Sequence, residues 1–194
     1  MERINKPNME SINKTKKRNL RIFTFTVSLM ALASGLFGPF YFIFINDLGG
    51  SIENFGIAVG LVVLSGALTS FIVGRTSDKF GRKPFLIIAG YSSAIMVFLY
   101  TVIGAIWQLY LLQIFNGLVL AIFETSEASF LGDITEKQKR GTAIGKYDSI
   151  IGIAEAIAIF MGGFLAGKFG FEIVFYAVSV IFIISATIMF KLKE

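Results

Sequence analysis

Long stretches without a charged residue alternate with short, strongly basic segments along this chain. Residues 22–46 form an uncharged run of 25, and residues 54–74 one of 21. At about 1.5 Å per helical residue, either run can span roughly 30 Å of hydrocarbon. Residues 84–123 then continue for 40 residues without a charge, about 60 Å as a helix and twice the bilayer thickness. That run must fold back once. The break is expected near Gly104 to Gln108, beside the only Trp, Trp107, whose amphipathic ring suits a membrane interface. Two further spans read as 142–166 and 171–190, separated by Gly167-Lys168-Phe169-Gly170. The pattern predicts an all-α membrane protein: a basic tail over residues 1–19, then a bundle of six transmembrane helices over 20–194.

Composition agrees. Of 194 residues, 55% are hydrophobic and 16% charged, against roughly 25% charged in a soluble domain, so a water-soluble globule is excluded. The long continuous apolar runs also exclude a β-barrel, whose strands alternate over about ten residues. Lys16-Lys17-Arg18 and the apolar residues after it imitate a secretory signal. Apolar sequence nevertheless continues to Ile45, far beyond a signal core of about 7–15 residues, so cleavage is not expected. With no Cys and no His, disulfides and imidazole metal sites are absent, and a side-chain proton relay must rest on carboxylates. No phosphate loop, nucleophile–base pair or metal constellation stands out, so neither enzyme chemistry nor a cofactor is expected.

The net charge of +5 matters less than its placement. With six crossings, 17 of the 18 Lys and Arg fall on the side of the two termini, and Lys168 alone falls on the other. The positive-inside rule then puts both termini in the cytoplasm of a multi-pass cell-membrane protein, in one orientation only. The basic tail, including Arg3, Lys6, Lys14 and Lys16, is expected to rest on anionic lipid, and no nucleic-acid partner is expected.

Carboxylates inside the spans are the candidate chemistry. At about 100° per residue from Gln113, the fourth span places Asn116, Gly117, Glu124 and Glu127 at about 300°, 40°, 20° and 320°, on one third of the helix. The fifth span aligns Gly141, Gly145, Asp148, Gly152, Glu155 and Gly162 on one face. Small residues permit close helix contact. The acids need water, a cation or a proton, because no Lys or Arg lies deep in a span. Such groups suit a proton-coupled or cation-binding pathway, with Glu155 near mid-bilayer and Glu124 and Glu127 toward the cytoplasm. For Glu127 and Asp148 the competing expectation is cytoplasmic water, or pairing with Lys137, Arg140 or Lys146. Ser34-Gly35, Gly38-Pro39 and Tyr41 mark a possible kink in the first span. The aromatic run Phe40-Tyr41-Phe42-Ile43-Phe44 reads as lipid contact.

Between the second and third spans the sequence runs Gly74-Arg75-Thr76-Ser77-Asp78-Lys79-Phe80-Gly81-Arg82-Lys83-Pro84. Gly74 suits a close approach to a neighbouring helix, Gly81 a turn, and Asp78 a helix N-terminus, while Arg82 can fork onto a carboxylate. This segment resembles the signature loop of the major facilitator superfamily at Gly74, Asp78, Lys79, Gly81, Arg82 and Lys83. Asp133 resembles the acid that pairs with that loop at the end of the fourth helix, and Arg140-Gly141 the start of the fifth. The resemblance covers residues 20–190. It implies a six-helix half bundle built as a 3+3 repeat, with the Asp and Arg acting as a conformational latch. Two departures stand out. Gln113-Ile114-Phe115-Asn116-Gly117 lacks the cation of the family's Arg-x-x-x-Gly, and Ala158-Ile159 replaces the Gly-Pro of drug–proton antiporters, although Gly162-Gly163 is kept.

Such a bundle implies a secondary transporter moving a small solute by alternating access. A cationic or amphipathic solute and proton-coupled efflux suit the acids. Because the resemblance covers about half of the family's fold, a second copy in a parallel homodimer, or a separate partner half, is expected to complete it. The alternative is a truncated, non-transporting membrane protein that binds or regulates a full-length transporter. A six-helix channel is disfavoured, as no filter sequence is visible.

Overall fold

The computed structural model describes residues 9–193; Arg3 and Lys6 of the basic tail lie outside them. The described residues are helical throughout, without a strand. Helix α1 (Met9–Phe37) leads through a 3₁₀ turn, Gly38–Phe40, into the short α2 (Tyr41–Asp47). Then follow α3 (Ile52–Phe80), α4 (Lys83–Leu99), α5 (Ile106–Ile134), a 3₁₀ turn Lys137–Lys139, α6 (Arg140–Phe169) and α7 (Phe171–Met189). Helix α1 therefore starts well inside the basic tail, and the break in the first span falls at Gly38–Phe40.

Five helices, α1, α3, α5, α6 and α7, are long and apolar enough to cross a bilayer, whereas α4 has only 17 residues. It begins at Lys83 with Pro84 in its first turn, where a missing N–H costs nothing. Beyond Leu99, i→i+3 bonds from Tyr100, Thr101 and Val102 wind the chain one turn further. The 40-residue apolar run does break where expected. The Gln108 side-chain oxygen accepts N–H bonds from Gly104 (2.8 Å) and Ala105 (3.1 Å), fixing the turn into α5, and Trp107 is exposed beside it. The break before the last span is tighter than expected: α6 runs through Phe169, and Gly170 alone turns the chain at φ +79. Gly81 does the same between α3 and α4 at φ +87, a conformation that costs other residues about 1 kcal/mol or more.

Helices associate in pairs: α3 with α5, α1 with α6, and α4 with α7, tied together by α1 against α7 and α4 against α5. Each of the first three pairs meets at small residues. A Cβ on Gly117 would lie 2.3 Å from the Val62 carbonyl oxygen, one on Gly162 2.5 Å from that of Leu36, and one on Gly90 2.9 Å from the Ala186 Cβ. In hydrocarbon the approach of backbones, not apolar burial, drives such contacts. Gly74 is not one of these points, since its Cβ would meet only Thr125 at 3.8 Å.

The core follows α1 and α7, with Phe23, Ala33, Phe175 and Met189 buried. Near Gly38 the rings of Phe37, Tyr41, Phe44, Tyr100 and Phe175 pack edge to face and tilted. Tyr41 and Phe44 are therefore core residues and not lipid contacts, as read from the sequence; Phe42 and Ile43 do face outward. The reason is the break after Phe37, which rotates two of the five side chains inward. Helices α6 and α3 are the least covered, with 11% and 17% of their most apolar stretches buried, against 44% for α1.

Candidate functional site

Two groups of polar residues stand apart from this apolar framework. The first is at the junction of α3 and α4. Asp78 lies in the last turn of α3, not at a helix N-terminus as its sequence position suggested. The turn at Gly81 brings Arg82 back over it, with its guanidinium 2.9 Å from the Asp78 carboxylate. The Arg82 Nε is also 3.3 Å from Asp133 near the end of α5. One guanidinium thus bridges two carboxylates from different helices. Both acids are more than half exposed, and exposed ion pairs contribute only about 0–1 kcal/mol, so the junction can be exchanged without unfolding.

Other residues of the same motif do different work. The Lys83 ammonium donates to the carbonyls of Phe190 (2.9 Å) and Leu192 (2.7 Å) just past α7, where the helix dipole favours a cation. Lys79 lies 5.3 Å over the Phe80 ring. Gly74 serves neither the ion pairs nor a tight contact.

The second group lines a cavity of about 370 Å³ in the middle of the bundle, walled by α1, α4, α5, α6 and α7. Glu124, Glu127 and Asn116 reach it from α5, Glu155 from α6 and Ser34 from α1, among Phe37, Tyr100, Phe123 and Phe182. Glu155 is in the central turns of α6. Glu127 accepts a short hydrogen bond from the Tyr147 hydroxyl and does not pair with Lys137, Arg140 or Lys146. Arg140 donates instead to the Gly132 carbonyl (2.6 Å) and to Thr135 (3.2 Å).

Two residues read onto this pathway, Gln113 and Asp148, do not line the cavity, and neither does Gly117 of the same α5 face. Gln113 is buried behind the cavity, its side-chain oxygen accepting from the Tyr100 hydroxyl at 2.6 Å. Gly117 packs against α3. Asp148 is exposed on α6 and does not line the cavity. The small-residue face of α6 also splits: Gly162 meets α1, while Gly141, Gly145 and Gly152 have open space beside them.

Sequence reasoning missed Tyr147 and Tyr100, which hold Glu127 and Gln113. Neither lies on the polar stripe of its partner's helix, so helical periodicity carried no signal for them. It missed Asn19 too, whose amide brackets Lys193 by donating to its carbonyl (2.5 Å) and accepting from its N–H (3.2 Å), pinning the C-terminal segment to α1. An Asn standing directly before an apolar run was the available hint.

Comparison of the sequence with known proteins places the chain in a family. The sequence profile of the Major Facilitator Superfamily matches residues 23–194. The chain is 35% identical over 162 residues to the uncharacterized MFS-type transporter YitZ of Bacillus subtilis, covering 84% of this chain and 99% of that protein. It is 32% identical over 183 residues to the multi-drug resistance efflux pump PmrA of Streptococcus pneumoniae, covering 92% of this chain but 46% of PmrA. Against the multidrug resistance protein MdtG of Proteus mirabilis the identity is 28% over 193 residues, with 48% of that protein covered. The chain therefore spans nearly all of YitZ and about half the length of the two multidrug proteins. On this evidence it is a multi-pass membrane protein that belongs to the Major Facilitator Superfamily.

Proposed function

We propose that the chain forms one six-crossing half of a secondary transporter, which moves amphipathic cations out of the cell in exchange for protons by alternating access. The observation that carries this reading is the cavity shared by Glu124, Glu127 and Glu155. Carboxylates at membrane depth are costly and mark ion or substrate paths. With aromatic rings among them, they suit a cation that is apolar elsewhere. The names of PmrA, a multi-drug resistance efflux pump, and MdtG, a multidrug resistance protein, support drug export.

The helix pairing supports a 3+3 repeat if α4, extended by the turn to Val102, counts as the third crossing. Shifting every crossing by three then exchanges the pair α3–α5 with α1–α6, exchanges α1–α7 with α4–α5, and returns α4–α7 to itself. Alternating access needs a second body to rock against. The thin cover of α3 and α6 and the open glycines of α6 support docking there, and a parallel second copy is our choice of occupant. The chain lacks Cys, so Gly152→Cys provides a clean probe. Oxidation in native membranes should yield a disulfide-linked dimer, and vesicles holding the protein should couple drug movement to a pH gradient. Monomer alone, with coupled transport intact, would exclude the homodimer; no coupled movement would exclude the transporter.

In this reading Arg82, Asp78 and Asp133 form the latch. Asp78→Asn should loosen the closed state, raising the alkylation rate of a Ser34→Cys reporter in the cavity by about three- to tenfold, the equivalent of about 1 kcal/mol. An unchanged rate would remove the latch role.

A further inference from the structure

A groove of about 680 Å³ runs between α1 and α6 at the end of the bundle that carries the chain termini. Lys17 and Arg21 of α1, Lys139 just before α6 and Lys146 within it line the groove, with the exposed Phe25 and Ile150 further along the same two helices and no carboxylate among its lining residues. Among the described residues, none of these four cations is within ion-pair distance of an acid. Lys146 lies about two turns into α6 and is exposed, so its ammonium can reach the membrane surface along its apolar stem. The N-terminus of α6 adds its dipole to the same positive field.

The groove is separate from the cavity. At about 100° per residue, Lys146 and Ile150 lie about 40° apart on α6, whereas Asp148 and Glu155 lie about 140–180° away from them. The groove therefore opens on the flank turned away from the acids. From Lys17 to Ser28, its limits on α1, is about 16 Å along the helix, close to the depth of one hydrocarbon leaflet.

We propose that this groove is a binding site for an anionic phospholipid. The headgroup phosphate sits among Lys17, Arg21, Lys139 and Lys146, and an acyl chain lies along Phe25 and Ile150. Charge complementarity selects the occupant: along α1 and α6 the cations come first and Phe25 and Ile150 follow about a turn further on, matching a phosphate followed by hydrocarbon.

The test uses the full chain in phosphatidylcholine vesicles, with Trp107→Phe and Phe25→Trp placing the only Trp in the groove. Dibrominated acyl chains quench a nearby Trp, on either phosphatidylglycerol or phosphatidylcholine. At position 25, phosphatidylglycerol should quench at about fivefold lower mole fraction than phosphatidylcholine. The native Trp107, at the opposite end of α5, should show no preference. Lys17→Gln, Arg21→Gln, Lys139→Gln and Lys146→Gln together should abolish the preference, and Lys146→Gln alone should at least halve it, covering the case in which the fourfold variant fails to fold. Arg75→Gln, on α3, should leave it intact. Equal quenching by both lipids, an equal preference at Trp107, or persistence in the Gln variants would each overturn the site. Loss of the preference on adding millimolar inorganic phosphate would also overturn it, in favour of a soluble anion.

Discussion

Glu155→Gln is expected to reduce pH-driven movement of an amphipathic fluorescent cation in proteoliposomes to the level of empty vesicles. Glutamine preserves the volume and most of the hydrogen-bonding capacity of glutamate but cannot take up or release a proton. Glu155 lines the cavity from the centre of α6, and its backbone carbonyl, not its side chain, meets Gly35 of α1. The substitution therefore leaves the α1–α6 contact in place. Solute–solute exchange without a pH gradient should survive, because it requires only that the cavity open on each side in turn. Loss of exchange together with the gradient-driven flux would make Glu155 a substrate ligand and not a coupling group. Unchanged gradient-driven flux would remove it from the mechanism. Glu127 should respond differently, since Tyr147 already donates to its carboxylate and Gln can accept the same bond.

The second large effect is structural. Gly117→Ala should lower the thermal unfolding midpoint in detergent by about 5 °C or more. The added methyl would lie 2.0 Å from the Ser65 hydroxyl, 2.3 Å from the Val62 carbonyl oxygen and 3.0 Å from the Gly66 nitrogen. Ser65 can rotate away, but the Val62 and Gly66 backbone cannot, so α3 and α5 must separate along their contact. Overpacking of this kind costs about 1–3 kcal/mol, more than the roughly 1 kcal/mol that Ala gains over Gly in helix propensity. Gly60→Ala, on the partner helix α3 but with nothing within 4 Å of the new Cβ, should be neutral or mildly stabilising. If the two variants melt alike, the close α3–α5 approach is not what holds these helices together.

How much of the site was legible in advance depended on the range of the interaction. Asp78 and Arg82 could be named because a motif of fixed spacing places them on either side of the turn at Gly81, and Asp133 because it resembles the acid that pairs with that loop in the family. The cavity acids could be named because a charge in an apolar run is conspicuous wherever it points. Their division could not. Asp148 and Glu155 share a helix face by periodicity, yet Glu155 lines the cavity and Asp148 does not. Gln113 shares a face with Asn116, yet Tyr100 draws it back into the core. Gly141, Gly145, Gly152 and Gly162 of α6 looked like one packing stripe, and of these four only Gly162 reaches a neighbour.

The linear pattern of charge and apolarity by itself determined that the chain is helical and lives in a membrane, and that its apolar run of 40 residues turns near Gly104. Those outcomes follow from solvation and from the spacing of residues along one helix, which are local properties of the chain. Only the tertiary structure decided which helices pair, where Lys83 and Asn19 find their carbonyls, and which basic residues border an open groove instead of meeting an acid. Each of these depends on how far two separate helices approach and at what rotation, and that is set by the summed contacts of the whole bundle.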